Sequence, residues 1–430
     1  MVGLPRLKQL PQALHVGYPP CTLSGRIPPM RRRDLIAGAS ATVLGPGAQA
    51  ADTTTLPSQL SDGTLAVARF VNLPSKTRLL QLSDRPPNYA TPIEVFSNTV
   101  TPNDRFYIHY HVDGVPSPPE VDTWTITIDG DAVEKPVKLT WRDLHDLPSN
   151  DVLAVLQDAG NRRGLAHPHV AGLQWPDGAM GCALWHGNSL SDLLKRAGIK
   201  PNAVEVWFSG AGTSPDPTIP RFRKSLPLAK AMDPSTLVAT LMNNAPLPLL
   251  NGAPVRLVVP GWVGSYWMKH LNHIEISSKP LDNYWMSKTG RVPVNLFPVR
   301  LPFRSQTTES TTPVTELVVN SLIADPLEGA EVDHSGFTIR GVTWDRGTGI
   351  NRVEISLDNG ASWQDALLES SQGDYAFRRF SLDTGWMKPG IYGLVSRATT
   401  NAGEQQPTTL KANPGGYHNN VPRPIQVKAR

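Results

Sequence analysis

The sequence predicts a mixed α+β domain followed by a smaller, all-β sandwich. Three observations carry this. The chain has 430 residues, a length that suits two or three domains. Its 41 prolines and 35 glycines point to turns, loops and strands rather than helical bundles. The pattern also changes near residue 318, from irregular segments with isolated helices to short alternating strands only.

In the first domain, Phe106, Ile108 and Tyr110 alternate with Tyr107, His109 and His111, the period of a strand. Trp124 to Ile128 alternates likewise, and Asp129-Gly130-Asp131 turns it into a hairpin. Thr140 is placed to cap a short helix from Trp141 to Asp146, stopped by Pro148. Asn188 or Ser189 opens a second helix, ended by Gly198. Val204 to Phe208 and Val255 to Val259 read as short buried strands.

The expected organisation is a leader over 1–50, an extended arm over 51–90, the α+β domain over 91–300, a Ser/Thr/Pro linker over 301–318 and the sandwich over 319–430. In the sandwich, strands are expected at Phe337–Ile339, Val353–Leu357, Tyr375–Phe377 and Tyr392–Leu394. Asn359-Gly360 is the hairpin signal, and Trp344 and Trp363 are core candidates. Strands at this spacing predict an immunoglobulin-like sandwich.

Net charge is +4 and the pI about 9.0. Residues 1–50 hold six Lys/Arg and one acid, so residues 51–430 carry about −1. The basicity therefore belongs to the leader and gives no reason to expect nucleic-acid binding. Arg32-Arg33-Asp34-Leu35-Ile36 resembles a twin-arginine export motif, followed by a short apolar stretch and Ala48-Gln49-Ala50 as a cleavage site. A periplasmic protein, exported folded with a cofactor already inserted, is the expectation. Met30, just before the arginines, is an alternative start to Met1. No membrane span is expected after the leader. Of the two cysteines, Cys21 falls in the leader and Cys182 remains, so no disulfide is expected within the mature chain. No Cys-x-x-Cys-His occurs, so no c-type haem is expected in this chain.

Four stretches bear on chemistry. The apolar run to Gln157 ends in Asp158-Ala159-Gly160-Asn161-Arg162-Arg163, a loop whose small residues allow close backbone approach and whose arginines offer forked donors. His109 and His111 stand two apart on one strand face. Arg256 and Lys269 flank a Gly-rich turn, a pattern able to hold a phosphate through cations and backbone N–H groups. Tyr284 follows Leu281-Asp282-Asn283.

These stretches resemble the sulfite oxidase family of molybdopterin oxidoreductases, closest to the bacterial exported sulfite dehydrogenase catalytic subunit. The family writes the first loop Gln-Cys-Ala-Gly-Asn-Arg-Arg, with Cys as the molybdenum ligand; here Asp158 takes that place. Its Arg-x-His motif has become His109-Tyr110-His111. Asn251-Gly252-Ala253-Pro254-Val255-Arg256 and Gly261-Trp262-Val263-Gly264-Ser265-Tyr266-Trp267-Met268-Lys269 resemble the pterin-binding segment. Asn413-Pro414-Gly415-Gly416-Tyr417-His418-Asn419-Asn420 resembles the C-terminal signature.

The resemblance implies a molybdenum–molybdopterin cofactor. It implies His111, Tyr110, Arg162, Asn251, Arg256, Ser265, Tyr266 and Lys269 as cofactor contacts, Asp158 at the metal, and Arg163, Tyr284 and His109 around the substrate. It implies oxidation of sulfite, or a related small oxyanion, by oxygen-atom transfer, with electrons passed to an external c-type cytochrome, and a possible homodimer through the second domain. Cys182 is set aside as a replacement ligand in favour of small-residue packing. Asp158 and His109 leave two readings: an oxidoreductase with a modified centre, or a catalytically inactive relative keeping pterin binding or a subunit-assembly role.

Overall fold

The computed structural model describes residues 60–112, 114–118, 120–214 and 216–430. The leader, with its export motif, and residues 51–59 lie outside them. No helix among the described residues is long and apolar enough to cross a membrane.

Two five-stranded sheets and a smaller N-terminal one form the first domain. The sheet that leads to the Asp158 loop has the order Ala245–Pro246, Leu237–Met242, Met180–Ser189, Asn150–Gln157 on its main path, with Arg256–Val258 paired to Leu237–Met242. Asn150–Gln157 runs antiparallel to Met180–Ser189 in unbroken register, from Asn150 opposite Gly187 to Gln157 opposite Met180. The second sheet has the order Arg223–Pro227, Glu205–Gly210, Leu271–Ser277, Thr125–Asp129, Val137–Thr140. It is antiparallel except where Leu271–Ser277 meets Thr125–Asp129.

The local signals behave as their chemistry dictates. Thr140 accepts from the Asp143 N–H while the Asp143 carboxylate takes the Thr140 N–H, a full capping box on the helix Trp141–Asp146. Helix Leu190–Ala197 ends at Gly198, whose φ of 73° is costly for a residue with a Cβ. Leu190, Leu193, Leu194 and Ala197 form its buried face.

The arm and the linker differ from expectation. Beyond the helix Asp62–Val67, strands Arg69–Leu73, Lys76–Ser83 and Asn88–Ala90 form a sheet with Ile108–His109, in which Asn88 lies opposite His109. The presumed arm is thus part of the platform that holds the His109 strand. Within 301–318, Thr311–Pro313 pairs with Arg291–Pro293, and Phe303, Val314, Leu317 and Val318 are buried. A polar composition concealed a segment stitched down by backbone bonds.

Residues from Asn320 onward form two sheets around their own core. One has the order Asn320–Asp325, Thr338–Trp344, Arg378–Asp383, Leu367–Leu368. The other has the order Glu331–Val332, Ile425–Ala429, Gly390–Thr400, Ile350–Ser356, Gln364–Asp365. Ile339, Val353, Ile355, Phe380, Leu394 and Val427 fill the space between them. The Asn359-Gly360 hairpin joins Ile350–Ser356 to Gln364–Asp365, with both residues at positive φ. The strand expected at 375–377 begins later, at Arg378. Neither tryptophan fills the sandwich core. Trp363 is half-buried with the Arg397 guanidinium 4.1 Å above it, and Trp344 packs with the first domain's core.

Candidate active site

A cavity open to solvent lies where the His109 strand, the end of Asn150–Gln157 and the segment 250–270 converge. Among its lining residues are His109, Tyr110, His111, Asp158, Asn251, Arg256, Ser265 and Lys269. The chain separates these by up to 160 positions; the sheets bring them together.

At one end, Asp158 is buried and its carboxylate is fully engaged. Oδ2 sits 2.6 Å from His109 Nδ1, and Oδ1 accepts from the Gly160 N–H at 2.7 Å. Burial opposes ionisation, but the charge and hydrogen bond of His109, with help from Arg163, outweigh it and hold the carboxyl well below the usual carboxylate range. His109 is in turn wedged by rings. His111 stacks on it at 4.4 Å and Trp175 meets it edge-on at 5.4 Å. Phe222 stacks on the far side of His111 at 4.6 Å.

At the other end the charge is open. Arg256 and Lys269 have no carboxylate within ion-pair distance among the described residues. Arg256 Nη1 and Nη2 donate to the carbonyls of Asn251 and Trp267, and its buried Nε has no partner. Burial pulls its guanidinium down to about 10. Lys269 Nζ donates to the His109 carbonyl and lies 4.1 Å over the Tyr110 ring. Burial, then the neighbouring Arg256, pulls it down to about 7. Two cations without counterions beside a cavity favour an anionic ligand. His270 is a neutral spacer here. Its Nδ1–H donates to the Ala253 carbonyl and its Nε2 accepts from the Tyr110 hydroxyl, and burial lowers it to about 4.

Four of the residues expected at the site do not line the cavity. Arg162 turns away: Nε pairs with Asp177 at 2.6 Å and Nη2 donates to the Ser321 carbonyl. Arg163 donates Nε to the Gly415 carbonyl at 2.7 Å and Nη1 to the Leu173 carbonyl, over the Tyr417 ring. Tyr266 is buried beneath Lys224 with its hydroxyl unpartnered, while its neighbours Ser265 and Trp267 face the cavity. Tyr284 is 47% exposed, because Asn283 caps the single helical turn Tyr284–Ser287 and that turn sends Trp285 inward instead. Trp285 meets His111 edge-on at 5.7 Å. Cys182 is no ligand either: it is wholly buried opposite Val155, and burial pushes its thiol up to about 12.

Sequence reasoning missed Lys76, Tyr107 and His270. Lys76, buried and lowered by that burial to about 7, donates to Asn251 Oδ1 and to the carbonyls of Asn103 and Phe106. Asn251 Nδ2 donates to the Tyr107 carbonyl. The Asn251 amide is therefore committed to protein on both sides. No pattern marked Lys76, since it lies in a segment read as an arm. His270 adjoins Lys269 and could have been flagged on that ground.

The pocket fits the organic, anionic part of a molybdopterin: Arg256 and Lys269 without a carboxylate in ion-pair distance and an orphaned Arg256 Nε, all at one open cavity. Gly264 leaves space where a Cβ would come within 3.0 Å of Leu156 and Tyr107. A metal would have to arrive with ligands of its own. Among the described residues no group of three or more His, Cys, Asp or Glu side chains could hold one. The chain offers one hard carboxylate, Asp158, in place of a soft thiolate.

Comparison with known proteins agrees. Residues 112–285 match the model of the oxidoreductase molybdopterin binding domain, and residues 311–429 match that of the Mo-co oxidoreductase dimerisation domain. Mitochondrial sulfite oxidase of Homo sapiens is 34% identical over 296 residues, covering 67% of this chain and 53% of that protein. Sulfite oxidase of Arabidopsis thaliana is 29% identical over 342 residues, covering 75% of this chain and 84% of the relative. The crystal structure of the sulfane dehydrogenase SoxCD from Paracoccus pantotrophus superposes with a TM-score of 0.67 at 25% identity, covering 91% of this chain and 96% of that one. The chain spans about half the length of the mitochondrial relatives. With the two matched domains in this order, the cationic cavity and the motif loops beside it, the chain belongs to the sulfite oxidase family of molybdopterin oxidoreductases.

Proposed function

We propose that this protein oxidises a reduced sulfur oxyanion, sulfite or a close relative, using molybdopterin, and passes the electrons to an external c-type cytochrome. One observation carries the reading. The unneutralised cations Arg256 and Lys269 line the same cavity as the Asp158 carboxylate at the metal position. When bound, the molybdenum cofactor supplies two-electron redox chemistry and oxygen-atom transfer.

The residues do the rest. Arg256 and Lys269 hold the anionic end of the pterin. His270, kept neutral by burial, seats the Tyr110 hydroxyl without adding charge. His109 stays fixed by Asp158, Trp175 and His111, so its ring faces an incoming substrate without swinging. The rings of His111, Phe222 and Trp285 exclude water from one wall.

A second substrate class, a sulfane sulfur compound, is favoured by one observation. Among the described residues no arginine other than Arg256 lines the cavity, so the substrate side lacks a forked cation for a doubly charged oxyanion. The structurally similar SoxCD is a sulfane dehydrogenase. We further propose export by the twin-arginine route and a homodimer through the second domain.

The test is protein matured in a cofactor-competent host. Metal analysis should find about one molybdenum per chain, and cytochrome c should be reduced on adding sulfite or thiosulfate. Molybdenum bound without electron transfer from either substrate sinks the substrate assignment, and absence of molybdenum sinks the enzyme reading.

A further inference from the structure

Four residues of the loop Gln157–Arg163, namely Gln157, Ala159, Arg162 and Arg163, are bonded to the second domain, while Asp158 and Asn161 are bonded to the first. Upstream, the Val155 N–H donates to the Tyr375 carbonyl. The Trp344 indole N–H donates to Gln157 Oε1 at 2.5 Å, the side chain just before Asp158. The His418 N–H donates to the Ala159 carbonyl, and Asn419 Nδ2 to the Arg162 carbonyl. Arg162 reaches the Ser321 carbonyl and Asn320 Oδ1, and its partner Asp177 is shared with Arg423. Arg163 donates to the Gly415 carbonyl and lies over Tyr417.

The fit is close. Gly416 sits at φ 58°, and a Cβ there would come within 2.5 Å of Val170 and 2.8 Å of Arg163. Arg162, a non-glycine residue, is held at φ 66°. Such a backbone persists only where its surroundings over-determine it. Here the Arg162 N–H and Nε are taken by Pro176 and Asp177 of the first domain, while its carbonyl and its two terminal nitrogens are taken by Asn419, Asn320 and Ser321 of the second.

We propose that the second domain is the scaffold that positions the Asp158 loop, and that Arg162 and Arg163 are positioning residues acting through it rather than groups that touch substrate. The inference concerns the loop's geometry and rests on the functional reading only for the kinetic arm of its test.

The first arm uses the cofactor-free, full-length chain. Trp344→Phe keeps the ring and removes its N–H, and Asn419→Ala removes one bond from a half-buried side chain. Combined, they should raise amide hydrogen exchange at residues 158–163 at least tenfold, with residues 255–269 unchanged. Asn419→Ala alone, which leaves every buried ring in place, should give part of that rise. Tyr417→Leu should loosen the loop, and Tyr417→Phe, which keeps the ring under Arg163, should restore its protection. Exchange at 158–163 within twofold of wild type in all these variants overturns the proposal.

The second arm uses loaded protein. Arg163→Ala should lower kcat at unchanged KM, and Arg163→Lys should recover part of the loss. A KM raised tenfold or more at unchanged kcat means that Arg163 binds substrate, and overturns the proposal. If the wild type binds no molybdenum, the functional reading fails while the exchange arm still decides the scaffold.

Discussion

Arg162 and Arg256 are equally buried, each 2% exposed, yet their surroundings are opposite. Arg162 is closed: Asp177 neutralises it and carbonyl and amide oxygens of the second domain take its remaining donors. Arg256 is open: it donates to two carbonyls, faces no carboxylate, keeps an unpartnered Nε and borders the cavity. A buried charge is tolerated when paired, and is otherwise held in reserve for a ligand that supplies the counter-charge. Identical side chains are thus satisfied by the protein at one end of the site and left open toward the cavity at the other.

The largest expected effect breaks the closed end. Arg162→Ala leaves Asp177, fully buried, with Arg423 as its remaining ionic partner. Losing one member of such a network costs roughly 3–5 kcal/mol, which denaturant unfolding of the cofactor-free protein measures. A loss below about 1 kcal/mol would mean that the pair is replaceable by water.

The pH limb sharpens the comparison. His270 at the open end and His418 at the closed end are both lowered to about 4 by burial. Their unfolded values lie near 6.5. Between these limits the unfolded chain binds protons that the folded chain refuses. The stability is therefore fully present above about 6.5 and is lost as pH falls toward 4, by up to about 3 kcal/mol per histidine. His418→Gln and His270→Gln should each flatten the acid limb of a melting-temperature profile. Unchanged slopes would show that neither is buried neutral.

A smaller effect is expected at the open end. Lys269→Met should loosen cofactor retention about tenfold, the equivalent of about 1.4 kcal/mol for one lost charge-assisted contact, read as pterin content after gel filtration. The same change should leave the cofactor-free protein within about 1 kcal/mol of wild type, because removing an unneutralised buried cation offsets the lost hydrogen bond. Thr140→Ala, far from both ends, removes the capping box and should cost about 1 kcal/mol without altering cofactor content.

Much of this was legible in the sequence. The capped helix at Trp141, the glycine stop at Gly198, the Asn359-Gly360 hairpin and the cations Arg256 and Lys269 follow from local chemistry, within a few residues of the group concerned. The family is legible as well, because its motifs are contiguous strings. Lys76 was invisible because the Asn251 amide it engages is 175 residues away. The arm and linker were misjudged because polar sequences pair by backbone bonds that composition does not report.

By itself, then, the sequence determined the fold class, the two-domain order, the cofactor class and the substitution of Asp158 for a thiolate. Only the tertiary structure decided that Asp158 is paired with His109, and that Tyr284 points to solvent. It alone turned the two loop arginines into the second domain. The physical reason is that a side chain's direction depends on partners far along the chain. Arg162 and Arg163 read as ligand donors until Asp177, Ser321 and Gly415 are folded against them.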